Sequence, residues 1–245
     1  MWSPASPAME SAFTDALKSR IRAITVFNVV CFGSMAQMAE SIFTLREPSR
    51  AAIDAFLLRA KDQSFSYPEV GSTRGQTPDG YTFDHNRTTL GAGGETFRRA
   101  ILALRAWEMF NLGWCRLFPR NAPITVGTTV AAVFHHFGFW SKNASRIVYV
   151  VEEKRRFGFA YGTLRQHAER GEERFTVEWN ESDDSVVYDI LAFSTPEQWQ
   201  AKLANPLARM LQKRFVRDSM AAMKDSRVGF LPARLTPSVN TLAAT

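Results

Sequence analysis

At 245 residues, with 45% hydrophobic and 22% charged side chains, the chain has the size and composition of one globular domain with room for an extension. A net charge of +6 permits attraction to nucleic acid, anionic lipid or an acidic protein and specifies none of them. Two cysteines, Cys31 and Cys115, exclude a disulfide framework, and four scattered histidines (His85, His135, His136, His167) lack the ligand spacing of a zinc site. No phosphate-binding glycine loop, dinucleotide fingerprint or G-x-S-x-G elbow is present; "GAGGE" at 91–95 reads as a turn into a helix. No cofactor and no metal is expected.

The opening residues stand apart. "KSRIRAITVFNVVCFGSMAQ" sets basic residues before an apolar run, Ala23 to Phe32, and then small residues, as a signal peptide ending near residue 36 would. Glu10 and Asp15 in a long preceding region oppose that reading, and the run is too short to span a bilayer as a helix. Residues 1–42 are read as an extension, with Met35 or Met38 as alternative initiators; the expected location is cytoplasmic, or exported if the leader is real.

From there the chain becomes regular. "EPSRAAIDAFLLRAKD" predicts a helix starting at Pro48-Ser49, with Ile53, Phe56 and Leu57 on its apolar face. "SFSYPEVGSTRGQTPDGY" is loop, "YTFDHNRTTLG" a strand, and Gly94 to Phe110 a second helix. Six strand-like runs follow: "GWCRLF", "TVAAVFHHFGFW", "SRIVYVVEE", "FGFAYGTLRQH", "ERFTVEWN" and "SVVYDILAFS", with turns expected at Asn143, at Lys154-Arg155, from Ala168 to Gly171 and from Asn180 to Asp184. A long helix is predicted from Pro196 to about Lys224, with Leu203, Leu207, Met210 and Leu211 as an apolar stripe beside a basic one of Lys202, Arg209, Lys213, Arg217 and Lys224. The tail after residue 226 reads as disordered.

This order predicts an α+β fold in which a curved seven-stranded antiparallel sheet wraps the C-terminal helix across residues 43–226, with a cavity between helix and sheet. The stretches "FSYPEVGSTRG", "GYTFDHNRTTLGAGGETF", "ALRAWEMFNLGW", "GFAYGTLRQHAERGEERFTVEW", "VVYDILAFS" and "LQKRFVRDS" resemble an uncharacterised family of bacteria and plants. That family is grouped with the START and Bet v 1-like helix-grip superfamily. The resemblance implies binding of hydrophobic or amphipathic ligands, with enzymes as a minority.

Three groups of residues attract attention. With a four-residue turn from Ala168, His167 lies opposite Glu172 and Thr163 opposite Thr176; the plain reading is a cross-strand pair at a wet hairpin end, and the sharper one an acid-base group whose imidazolium the carboxylate would favour. A one-residue change in the turn exchanges the faces and brings in Glu173. His85 and Arg87, at i and i+2, share a strand face; they suit an acidic head group if that face meets the cavity, and otherwise Arg87 is an edge-strand arginine in solvent or on a loop carbonyl. Trp107, Thr163, Tyr188 and Arg214 are further lining candidates; Arg214 and Glu108 break the helical apolar patterns, either by snorkelling past the rim or by pairing across the cavity.

Three functions follow. The first is a binder of a small hydrophobic or amphipathic molecule, anchored by His85 and Arg87 with His167 and Glu173 at the rim. The second is an enzyme using His167 with Glu172 or Glu173 as acid and base. The third is a peripheral or adaptor protein docking on an anionic membrane surface through Arg209, Lys213 and Arg217. No interleaved aromatic pattern points to nucleic acid.

Overall fold

The structure, a computed structural model, describes residues 42–75, 78–196 and 205–226. The N-terminal extension with its leader, the C-terminal tail, and Lys202 and Leu203 of the last predicted helix lie outside these residues, as does the Leu207 side chain. No helix among the described residues is long and apolar enough to cross a membrane.

The strands are β1 (Phe43–Thr44), β2 (Thr82–Ala92), β3 (Cys115–Phe118), β4 (Thr129–His136), β5 (Phe139–Glu153), β6 (Arg156–Thr163), β7 (Glu169–Trp179) and β8 (Ser185–Pro196). The helices are α1 (Arg50–Ala60), α2 (Gly93–Arg105) and α3 (Asn205–Asp225), with short 3-10 turns at Ser72–Arg74 and Glu108–Phe110. The seven long strands run antiparallel in the order β2-β8-β7-β6-β5-β4-β3, and β1 pairs with β5 beside this path. Strand alternation sends Phe157, Phe159, Tyr161, Phe175, Val177, Tyr188 and Ile190 to one face, against α2 and Phe215 and Met223 of α3. We refer to it as the α3 face. Ala131, Val133, Ala144 and Leu164 point the other way, beneath Ile53, Phe56 and Leu57 of α1.

The predicted architecture is therefore the observed one: a curved antiparallel sheet with a C-terminal helix across it. Several boundaries differ. The second helix ends at Arg105, because Trp107 adopts a left-handed backbone (φ 58°) that no α-helix continues through. The "TVAAVFHHFGFW" run is not one strand but a hairpin, turning at Phe137 (φ 52°) and Gly138 (φ 79°). Asn143, expected at a turn, sits buried within β5, which runs unbroken for 15 residues. Pro196, read as a helix start, ends β8 opposite Glu169.

The space between sheet and α3 is filled where the described residues define it. Phe110 packs on Phe215 at 5.1 Å, Phe175 at 5.8 Å and Tyr161 at 6.1 Å between ring centroids, and Trp107 on Phe159 at 4.8 Å. Beneath the opposite face, β6 and β7 approach so closely that a Cβ on Gly158 would lie 2.2 Å from the Phe175 carbonyl oxygen. Gly158→Ala must push the two strands apart. It should cost about 3 kcal/mol, the upper end for overpacking, measured by urea denaturation.

Candidate functional site

The register of β6 against β7 decides which groups meet. Tyr161 pairs with Glu173 and Gly162 with Glu172, so the strand ends at Thr163 and the chain bends back from Leu164. The expected pairing of His167 with Glu172 and of Thr163 with Thr176 is thus displaced by an odd number of residues, which moves Tyr161 onto the face of Glu173 and Phe175. Glu172 and Glu173, adjacent in sequence, serve opposite faces.

On the face away from α3, Glu172 is a buried carboxylate, 2% exposed. Its Oε2 accepts from the Tyr67 hydroxyl (2.7 Å) and the Gly71 N–H (2.6 Å), and its Oε1 from the Thr73 N–H (3.0 Å) and hydroxyl. Four donors from the loop over residues 67–73 stand in for the water lost on burial. Burial and the neighbouring Glu172 charge push the Tyr67 phenol far above its ordinary range, so it stays a donor. Two strands across, His85 and Arg87 do share a face, but it is this one. Asp189, also 2% exposed, binds His85 Nε2 at 2.6 Å, Arg174 at 3.0 Å and Arg87 at 3.2 Å. Arg87 reaches Glu178 as well, at 2.8 Å. The pair proposed to anchor a head group under α3 instead neutralises a buried aspartate on the far side of the sheet.

On the α3 face, the cross-strand row Tyr161, Glu173, Ala192 and Asp84 runs from β6 to β2. The Tyr161 hydroxyl donates to Glu173 Oε2 at 2.8 Å, and Oε1 accepts no hydrogen bond among the described residues. Burial pushes the Glu173 carboxyl up to about 7; Tyr161 opposes the rise, while Glu169 and Asp84 add to it. Burial likewise raises Glu169, whose two oxygens each accept from Gln212 Nε2 of α3 at 2.8 Å. Arg209 of α3 forks onto Asp84 at 2.5 and 3.0 Å. Three carboxylates thus gather near the start of α3 around one arginine.

The remaining candidates are dispersed. His167 lies in the bend between β6 and β7, its Nδ1 accepting the Glu169 N–H at 3.0 Å, and burial lowers its pKa to about 4. It is a neutral histidine with no carboxylate partner among the described residues, so the pairing with Glu172 that would have favoured the imidazolium is not formed. Thr163 takes the Gly171 N–H at 2.9 Å. Trp107 is core, its Nε1–H on the Ala122 carbonyl (2.8 Å), and Tyr188 reaches Ser219 of α3 at 3.1 Å. Arg214 lies over the Trp114 ring (4.3 Å) and Glu108 accepts from Asn111, so they do not pair. In the basic stripe, Arg209 holds Asp84 and Arg217 holds Asp218 (2.8 Å), while Lys213 is exposed. Among the described residues, no group of three or more His, Cys, Asp or Glu side chains could hold a metal ion.

Sequence reasoning missed Tyr67, Thr73, Tyr161, Glu169, Arg174 and Asp189. The alternation in "EERFTVEW" does separate Glu173, Phe175 and Val177 from Glu172, Arg174 and Thr176, so a correct turn would have placed Tyr161 and Arg174.

Two outcomes follow. Tyr67→Phe removes one donor from the Glu172 carboxylate and should cost about 2 kcal/mol, the usual worth of a hydrogen bond to a charged group, read from the urea midpoint. The second concerns pH. A carboxyl whose pKa rises on folding binds its proton more tightly when folded, so it stabilises the fold at low pH. For Glu173 that stability is present below its ordinary value of 4.5 and is lost as pH rises through about 7. The unfolding free energy of the native chain minus that of Glu173→Gln should therefore fall between those limits, by up to about 1.4 kcal/mol per pH unit.

Comparison with other proteins places this geometry in a family. The chain is 34% identical over 203 residues to a UPF0548 protein of Dictyostelium discoideum, covering 74% of this chain and 94% of that one. To a UPF0548 protein of Deinococcus radiodurans it is 36% identical over 189 residues, covering 72% and 94%. Among solved structures, norcoclaurine synthase from Thalictrum flavum, in complex with dopamine and hydroxybenzaldehyde, is similar at 12% identity and a TM-score of 0.42, over 62% of this chain and 90% of that one. Matched over residues 66–222, the chain belongs to the family described as Domain of unknown function (DUF1990).

Proposed function

We propose that the protein binds a small amphipathic molecule at the end of the sheet–α3 interface near the start of α3, beyond the filled core, with its apolar part against the edge of the aromatic cluster and its polar end at Glu173. The observation that carries this reading is the Glu173 carboxylate: it faces α3, one oxygen accepts only from Tyr161, and the other accepts nothing among the described residues. A half-buried carboxylate with spare acceptor capacity is matched by a ligand that donates. Glu169 and Asp84 nearby, set against Arg209, favour an amine or hydroxyl over the acidic head group expected from Arg87. The aromatic side chains beneath α3 would supply the apolar contact.

A second reading draws on the same carboxyl. With its pKa raised to about 7, Glu173 holds and releases a proton near neutrality, as a general acid or base does. It would take the role expected of His167, which burial keeps neutral. Docking through the basic stripe has less support, because Arg209 and Arg217 are committed to carboxylates of the protein itself.

Native mass spectrometry of protein purified from its own host tests the binding reading. The expected result is a retained small molecule bearing an amine or hydroxyl, released on denaturation and absent from Glu173→Leu. Equal retention by the variant would remove Glu173 from the site. A clean apo mass for the native chain would leave turnover, not carriage, as the use of this carboxyl.

A further inference from the structure

A cleft of about 180 Å3 opens elsewhere, between α1 and the strands β3, β4 and β5. It lies on the sheet face away from α3, so it is independent of the site proposed above. Its floor is apolar and aromatic: Ile53 from α1, Phe118 from β3, Val133 from β4 and Trp140 from β5. Its rim is charged, with Arg50, Arg116 and Glu47. A dry cavity of roughly 150 Å3 accommodates benzene, so this volume suits one substituted ring.

The charges around the cleft favour an anion. Arg116 pairs with Glu47 at 2.9 Å and Arg50 with Asp54 at 2.9 Å, both exposed contacts of the kind that exchange readily with a competing carboxylate. Lys142 breaks the balance. It is 4% exposed, and its cross-strand partner Val133 is part of the cleft floor. Its ammonium lies 5.2 Å from the Phe56 ring centroid, one turn along α1 from Ile53, and no carboxylate or hydrogen-bond acceptor partners it among the described residues. Burial, and then the charge of Arg59, lower its pKa. An ammonium held without a counter-ion beside an apolar cleft with two guanidinium groups leaves a net positive charge there. The first turn of α1 adds to it, since that turn carries no acidic side chain.

The aromatic floor is also held in place. His135 stacks on Trp140 at 4.4 Å with 21° between the ring planes, and Arg50 lies 5.6 Å from the Phe118 ring centroid. We propose that this cleft binds a small monocyclic aromatic carboxylate, with its ring against Phe118 and Trp140 and its carboxylate between Arg50 and Arg116. Lys142 supplies the uncompensated charge behind the floor.

The test is fluorine NMR of the full chain titrated with 4-fluorobenzoate, with 4-fluorobenzyl alcohol as the uncharged ring and fluoroacetate as the ringless anion. The expected result is saturable broadening with 4-fluorobenzoate, binding at least about tenfold weaker for both comparators, and a similar loss in Arg116→Gln and Arg50→Gln. Those arginines are exposed, so both variants should fold, and they carry the test even if Lys142→Met does not. Glu173→Gln, altered in the other site, should leave the 4-fluorobenzoate response unchanged. Equal binding of the alcohol, full affinity in both Arg116→Gln and Arg50→Gln, or no saturation at millimolar concentration would each overturn the proposal. A response lost in Glu173→Gln alone would move the ligand to the α3 face and overturn it as well.

Discussion

A carboxylate removed from water has to find donors for both of its oxygens, and the way Glu172 does so organises one whole side of the molecule. Its partners, Tyr67, Gly71 and Thr73, come from a loop about a hundred residues away in sequence. The loop, whose own regular structure is one helical turn of three residues, is also held by Ser66 on Thr163 (2.9 Å) and Thr73 on Tyr149 (2.7 Å), and the Glu172 anchor completes its seat. With it, the loop covers Phe193, which packs edge-on against Tyr67 at 5.6 Å and Tyr81 at 5.1 Å. The Thr73 carbonyl in turn accepts from Arg174, which continues to Asp189 and so to His85 and Arg87. One carboxylate and its donors thus connect the loop, the middle of the sheet and its β2 edge.

The two faces are built on different physics. Beneath α3, dispersion and apolar burial dominate, with aromatic rings in series from Trp107 to Phe215. On the far face, hydrogen bonds and ion pairs around Glu172 and Asp189 tie the central strands together, and a second apolar cluster under α1 holds β4 and β5. Apart from isolated contacts such as Tyr188 with Ser219, polar groups gather on the α3 face near the start of that helix, where Gln212 and Arg209 meet Glu169 and Asp84. That change from dry core to mixed chemistry is the support for proposing a ligand at this end of the interface.

Much of the architecture was legible in the sequence because it follows from local pattern. Ser49 caps α1 where Pro48-Ser49 announced it, β2 spans the predicted stretch, and the number of long strands is as expected. The hairpin at Phe137-Gly138 was not legible, because a phenylalanine with positive φ gives no turn signal and Asn143 gives a false one. Site residues fared worse for a reason of parity. Within β7 the faces were separable by alternation, but pairing β7 with β6 required the length of a turn that bends back at Leu164, well before Ala168. Asp189 and Glu172 acquire meaning only through partners far away in the chain, and spacing carries no trace of those.

The adjacency of Glu172 and Glu173 has a consequence for how the sheet assembles. A slip of β7 by one residue would turn Phe175 and Val177 toward the polar loop and send Arg174 and Thr176 into the aromatic core. It would also strip Glu172 of all four donors at once. The error would be penalised on both sides of the strand together, so β7 accepts its neighbours in one alignment.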